Sequence, residues 1–237
     1  ILDISFQNGI KHFFIFSDAP SSAKDLENTP HQSSIINMIK NWNNRNPTAR
    51  INWAIAKKNF GCSGSILRGL DWISSKTNKF IVMEDDCVPS SDFFDFSDDS
   101  FKKLESEFEP WLFCGSQFAP VEITENNWSL SKYSLTWGWG TTSKKWQEIR
   151  SAIINLNITS KSSSLYRDMS EKRYWESGRR RATLGYIDVW DILISDALLR
   201  NGRFAILPGV NLVSNLGADD FATHTLQIHP FHDLPVG

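Results

Sequence analysis

Residues 80–83, Phe-Ile-Val-Met, form a short apolar run that ends directly in three consecutive acids, Glu84, Asp85 and Asp86. An apolar run of this length, closed on both sides by polar residues, reads as a buried strand. The acids then fall where that strand leaves its sheet. Adjacent carboxylates repel one another and are costly to desolvate, so a compensating partner is expected. Hard oxygen ligands suit Mg²⁺ or Mn²⁺, and the carboxyl ends of strands in open α/β sheets are where ligands bind. An acidic surface turn that merely ends a strand is the other reading of the triplet. Pro89 is expected to stop the strand, and Asp92-Phe93-Phe94 to open a helix with Asp92 as its N-cap.

Upstream, residues 11–16 read as a strand ending at Ser17-Asp18-Ala19-Pro20, where Asp18 suits a turn. Helical periodicity through Ile35, Ile36, Ile39 and Trp42 stops near Pro47. Ile51, Trp53 and Ile55 alternate with Asn52 and Ala54, indicating a third strand when the expected missing first one is counted. It runs into 57–64, Lys-Lys-Asn-Phe-Gly-Cys-Ser-Gly, ahead of a helix predicted over 65–73. Glycines and lysines before a helix make an anion-facing loop, although this spacing is neither a Walker nor a dinucleotide fingerprint. Arg68 on that helix is either a solvated charge or a contact to the same anion. After the acids, Phe93, Phe96, Phe101, Leu104 and Phe108 recur at helical intervals, and 111–118 reads as a further strand. Strands alternating with helices predict a mostly parallel sheet with helical crossovers.

The second half has a different texture. Gly138 and Gly140 flank Trp139, with Trp137 beside them, so the backbone can approach closely next to flat aromatic surfaces. Residues 155–169 are polar and Ser-rich, as in a loop or lid. Lys172, Arg173 and Arg179-Arg180-Arg181 make a basic segment on a helix around Tyr174 and Trp175. It reads as a solvated face, as a contact to phosphates, or as a contact to an anionic membrane surface. A helix predicted from about residue 185 places Asp188 and Asp191 at i and i+3 on one face, where acids of a first turn complement the helix dipole. Residues 204–208 form the last strand, followed by Asn211 to Gly217 and by Thr223-His224-Thr225.

Composition bounds these readings. A chain of 237 residues, 41% hydrophobic and 22% charged, is that of a globular α/β protein of one large or two small domains. A net charge of −2 gives no electrostatic reason to expect nucleic acid as a partner. Ten Trp and sixteen Phe supply core aromatics, with carbohydrate-facing rings as the alternative for some. Cys62, Cys87 and Cys114 lack metal-ligand spacing and suit reduced thiols, hence a cytoplasmic setting. No apolar run approaches the ~20 residues of a membrane span.

The phrase from Met83 to Phe94, an apolar strand, Glu-Asp-Asp, a Pro-containing loop and Asp-Phe-Phe, resembles the metal-binding element of GT-A-fold nucleotide-sugar glycosyltransferases. It is most similar to the N-acetylglucosaminyltransferases that begin complex N-glycans and to bacterial enzymes like them. The Thr136–Trp146 segment, the Trp190-Asp191 pair and the Asn-Leu-Val-x-Asn-x-Gly and Thr-His-Thr phrases carry the resemblance further. It implies one GT-A-like, Rossmann-like domain over 1–237, with a nucleotide-sugar-binding half at 1–118 and an acceptor-binding half at 119–237. It also implies sugar transfer from a nucleoside-diphosphate sugar, a UDP-sugar above all, to a glycan or glycolipid hydroxyl, with inversion, in bacterial surface glycan assembly. Asp86 and His224 would hold Mn²⁺ or Mg²⁺, a Lewis acid for the departing nucleotide. Asp18, Asn59, Arg68, Glu84, Asp85, Trp137 and Trp139 would meet the nucleotide sugar. Asp191 would be the catalytic base, with Asp188 in reserve. GT-A domains begin with a strand and helix ahead of the strand at 11–16, so that first unit is expected to be missing here; an ordinary domain opening with a short helix is the alternative. A metal-dependent phosphotransferase and a non-catalytic carbohydrate-binding domain are the rival functions, and a peripheral contact at the inner face of the membrane is compatible with the basic segment.

Overall fold

The computed structural model describes residues 1–21, 32–106, 110–118, 128–155 and 165–217. Helix α1 (Leu2–Gln7) leads to strand β1 (His12–Ser17) through Gly9, whose φ of +88° suits the residue past a helix end. Helix α2 (Gln32–Arg45) follows, and then β2 (Arg50–Ile55), which pairs with β1 in parallel from His12↔Arg50 to Ser17↔Ile55. Side chains alternate across a strand, so Phe13, Ile15, Ile51 and Trp53 share one face while Phe14 and Phe16 occupy the other. On the first face α1 and α2 close over a small core in which Phe6 and Phe13 meet Trp42 edge-on at 5.6 and 5.4 Å. On the second lies α3 (Gly61–Ser74), with Trp72 edge-on to Phe14 at 5.5 Å and Gly69 beneath Phe16.

The acidic strand is β3 (Lys79–Val82), and it belongs to a second sheet. After it come the short β4 (Cys87–Pro89), α4 (Asp92–Glu105), β5 (Pro110–Cys114), β6 (Trp128–Ser131), β7 (Trp139–Thr142) and α5 (Ser143–Ile154). The chain continues through α6 (Met169–Thr183), α7 (Asp191–Asn201), β8 (Phe204–Pro208) and β9 (Val213–Asn215). The sheet has the order β3-β7-β5-β8-β6, and β4 pairs separately with β9. The protein is thus mixed α/β, with a five-stranded mixed sheet flanked by helices.

Three expectations need correction here. The sheet is not mostly parallel: only β5–β8 is parallel, and β3–β7, β7–β5 and β6–β8 are antiparallel. Strands β5, β6 and β7 succeed one another with no described helix between them, and antiparallel neighbours need no helical crossover. Pro89 also does not stop the strand of residues 80–83, which ends at Val82; it is the last residue of a separate strand, β4, opposite Val213. The helix after it is capped by Ser91 in position rather than by Asp92, which is already its first residue.

One face of the large sheet carries α3, α5 and α7 around Phe80, Trp139, Trp146, Ile149, Ile194 and Leu198. The other carries α4, whose Phe93, Phe94, Phe101 and Leu104 pack on Phe113, Ile206 and Val213. Gly140 on β7 is required, because a Cβ there would sit 2.3 Å from the Phe113 ring. Strands from 1–118 and 119–237 interleave in this sheet, so the two halves share one core. Helix α3 serves both sheets, with Gly69 and Trp72 toward β1 and Leu70 toward Phe80 of β3. Among the described residues the two sheets exchange no backbone hydrogen bond, β1 pairs with β2 alone, and no helix is long and apolar enough to cross a membrane.

Candidate functional site

Because β1 and β2 are parallel, their carboxyl ends open on the same edge, and the loops there are tied together. Asp18 accepts the backbone N–H of Ala19 at 2.9 Å and that of Phe60 at 3.0 and 3.1 Å. Asn59 donates to the Ala19 carbonyl at 2.5 Å and accepts from Gly61 N–H at 3.0 Å. The guanidinium of Arg68 lies 4.0 Å above the Phe60 ring, and the Lys58 ammonium 5.4 Å from it. Asp18, Asn59 and Arg68 are therefore neighbours around Phe60. Asp18 holds the loop in shape, while the two cations stay exposed beside it.

Helix α3 begins at Gly61, four residues earlier than the sequence periodicity indicates. Its own N-cap residue, Phe60, offers no side-chain acceptor, and the cap comes from Asp188 instead. Asp188 accepts Cys62 N–H at 2.7 Å and Ser63 N–H at 2.8 Å from 126 and 125 residues away in sequence. A carboxylate here satisfies orphan donors and the positive end of the helix dipole. The anion at this helix end is thus the protein's own. Gly61, with φ of +73°, leaves room for it: a Cβ would fall 2.4 Å from an Asp188 oxygen. Nor do Asp188 and Asp191 share a helix face, since α7 starts only at Asp191. Asp188→Ala should lower stability by about 1–2 kcal/mol in urea unfolding, the size of a lost N-cap; an unchanged midpoint would show the clasp to be dispensable.

Asp191 is exposed at the first turn of α7, and no hydrogen bond of its carboxylate is found among the described residues. It is therefore not a cap. Glu84, just past β3, is half-buried. Burial, then the neighbouring Asp86, Asp191 and Asp85, push its carboxyl up to about 7, with the Trp190 indole opposing. Burial, then Glu84, Asp188 and Asp191, likewise push the Cys62 thiol up to about 12. The end of β3, the start of α3 and the start of α7 therefore meet in one acidic neighbourhood. Beneath it Trp190 is buried and stacks on Trp139, centroids 5.8 Å apart and planes at 29°.

The remaining predicted residues divide. Trp139 is 0% exposed and packs in the core against Trp190 and Trp146, so it presents no face to a sugar; this corrects the expected ligand contact. Trp137 is half-buried and edge-on to Phe118 at 4.8 Å. The next residue, Gly138 (φ +63°), packs against Met83 and Val213, which holds the Trp137 segment beside the end of β3. Asp85 is exposed. Asp86 accepts Leu216 N–H on its carbonyl at 2.8 Å, and its carboxylate occupies the space where a Gly217 Cβ would lie, 2.3 Å away. His224 lies outside the described residues.

Among the described residues no three His, Cys, Asp or Glu side chains converge closely enough to hold a metal ion unaided. The donor chemistry still fits a hard divalent cation, because Glu84, Asp85 and Asp86 offer only oxygen. Mg²⁺ is commonly held by one or two carboxylates plus substrate phosphates rather than by a complete protein cage. Sequence reasoning missed Cys62, Trp190 and Gly217 as parts of this site. Trp190 was within reach as the neighbour of Asp191, whereas no spacing signals Cys62 or Gly217.

Glu84 makes stability pH-dependent in a definite direction. Between its ordinary 4.5 and about 7, the folded protein keeps the proton while the unfolded chain has lost it. The unfolded state then binds fewer protons, so stability falls as pH rises through that window, by on the order of 3 kcal/mol. With a chelator present, Glu84→Gln should remove that decline relative to the parent in urea melts from pH 4.5 to 7.5. Parallel curves for both proteins would refute it.

No protein-family model matches this chain, and no curated protein sequence matches it significantly.

Proposed function

We propose that this protein is a metal-dependent glycosyltransferase of GT-A-like fold that moves a sugar from a nucleoside-diphosphate sugar, a UDP-sugar as first choice, to an acceptor hydroxyl. The observation that carries the reading is the contrast between two acids three residues apart. Asp188 is consumed by the α3 N-terminus, while Asp191 is unbonded and faces the acids that end β3. A base needs a free carboxylate at the rim of the donor site, and Asp191 alone of this pair offers one.

In this mechanism Asp18 and Asn59 shape the loop beside the nucleotide, and Arg68 and Lys58 face its phosphates. Asp86 would hold the divalent cation, with Glu84 and Asp85 around it; when bound, the cation neutralises charge on the departing diphosphate. Asp191 takes the proton of the acceptor hydroxyl as its oxygen bonds to the anomeric carbon. The bond from that carbon to the diphosphate breaks, and its electron pair leaves with the nucleotide. Attack from the face opposite the leaving group inverts the anomeric centre. A glycan or glycolipid of the bacterial surface is the expected acceptor.

Isothermal titration with Mn²⁺ and a panel of nucleotides tests the donor side. A nucleoside diphosphate should bind only with Mn²⁺, and Asp86→Asn should weaken that binding more than tenfold, since an amide is a poorer ligand for a hard cation. Metal-independent or absent binding would overturn the reading. Sugar transfer detected by mass spectrometry with a donor panel would separate an enzyme from a binding module.

A further inference from the structure

Helix α6 is the most basic of the described elements, and its charges are sorted. The inner face is pinned: Gly178 lies so close to Ile192 of α7 that a Cβ would clash at 2.1 Å, and Trp175 stacks on Tyr133 at 5.7 Å. The acids of this segment are already partnered. Asp168 caps the helix, Glu171 binds Lys132 and Tyr133, and Glu176 pairs with Lys172. Arg179 points inward to Asp196 at 3.1 Å. What remains on the exposed stripe, at helical spacing, is Arg173, Arg180 and Arg181 together with Ser170, Tyr174, Ser177 and Leu184. The stripe holds no carboxylate, and no ion pair of its arginines is found among the described residues.

The same surface exposes apolar groups that a merely solvated face would not need. Tyr174 is 67% exposed, Leu184 57% and Tyr186 74%, the last two just past the helix end. Arginines alone would suit any polyanion. Phenol rings and a leucine projecting among them match a headgroup region, where amphipathic side chains put apolar bodies toward acyl chains and polar tips in water. We propose that the outer face of α6, continued by Leu184 and Tyr186, docks on an anionic lipid surface. Tyr186 stands two residues before Asp188, so docking would bring the acidic neighbourhood close to the membrane plane. The inference goes beyond the transferase reading and does not rest on it.

Each basic side chain near an anionic membrane contributes about fivefold in binding, so three contribute on the order of 10². Co-sedimentation of the full chain with phosphatidylcholine vesicles, with and without phosphatidylglycerol, reads this directly. Binding is expected only to the anionic vesicles and should weaken with added salt. Combined Arg173→Glu, Arg180→Glu and Arg181→Glu should reduce it at least 10²-fold, whereas the three Arg→Lys changes should preserve it. Combined Tyr174→Ser, Leu184→Ser and Tyr186→Ser should weaken it severalfold, with circular dichroism unchanged in every variant. Equal partition to both vesicle types, or no loss on charge reversal, would overturn the proposal. So would tighter binding to single-stranded RNA than to vesicles, or an apolar triple variant that binds as the parent does, since either would make the stripe a general polyanion site.

Discussion

Asp191→Asn is expected to lower turnover by about 10²–10⁴-fold while affinity for a nucleoside diphosphate scarcely changes, because a general base acts on the acceptor and in the transition state. The geometry separates this loss from a structural one. Asp191 makes no hydrogen bond among the described residues, so an amide of the same size removes no contact. Asp188→Asn should do the reverse, costing stability through the two α3 N–H groups it serves and sparing turnover in the molecules that remain folded. Steady-state kinetics with saturating donor, set beside urea melts of both variants, gives four numbers. If Asp191→Asn retains full turnover, the base is elsewhere. If it loses stability instead, the carboxylate is a structural group after all.

Asp196→Ala should be the most destabilising of the substitutions considered, by about 3–5 kcal/mol, the cost of stripping a buried ion pair of one partner. Asp196 is fully buried on α7. It accepts from Arg200 Nε at 2.7 Å and from the Tyr166 hydroxyl at 3.0 Å, and pairs with Arg179 Nε at 3.1 Å. Arg200 is itself 1% exposed and donates its Nη2 to the Ala152 carbonyl at 2.8 Å. One carboxylate thus ties α6, α7, the end of α5 and the segment before α6, and its removal would leave two guanidinium groups facing each other without compensation. Arg200 Nη1 is already buried without a partner among the described residues, so the cluster has no reserve to absorb the loss. Chemical denaturation checks the figure, and a loss below ~1 kcal/mol would mean that water enters and solvates the arginines.

The elements that could be read from sequence are those whose signal is local. The strand at 80–83 appears as Lys79–Val82, the strand at 204–208 appears as Phe204–Pro208, and the periodicity of Ile35, Ile36, Ile39 and Trp42 matches α2. Residues at element ends could also be placed as such: Asp18 follows β1, Glu84 follows β3 and Asp191 opens α7. Errors arose where a distant partner decides. Strand direction in the large sheet depends on β7 inserting between β3 and β5, which no local pattern announces. Asp188 resembles a first-turn acid, yet its function is fixed by a helix 125 residues away in sequence. Trp139 and Trp137 look alike in the sequence, and only the packing of Trp190 puts the first in the core.

The seam between the two sheets has a consequence for cooperativity. Backbone bonds do not cross it among the described residues; α3 and the Asp188 clasp do. Strands β1 and β2 carry a small core of their own, whereas β5, β7 and β8 lie in the larger one. Amide protons of β1 and β2 should therefore exchange with solvent at a lower opening free energy than those of β5 and β8, as a separate unit of local unfolding. The loop of Lys58, Asn59 and Phe60 belongs to the looser unit and the acids after β3 to the tighter one. A ligand that touches both would stitch them together, and its signature would be slowed exchange throughout β1 and β2, including amides that it does not contact.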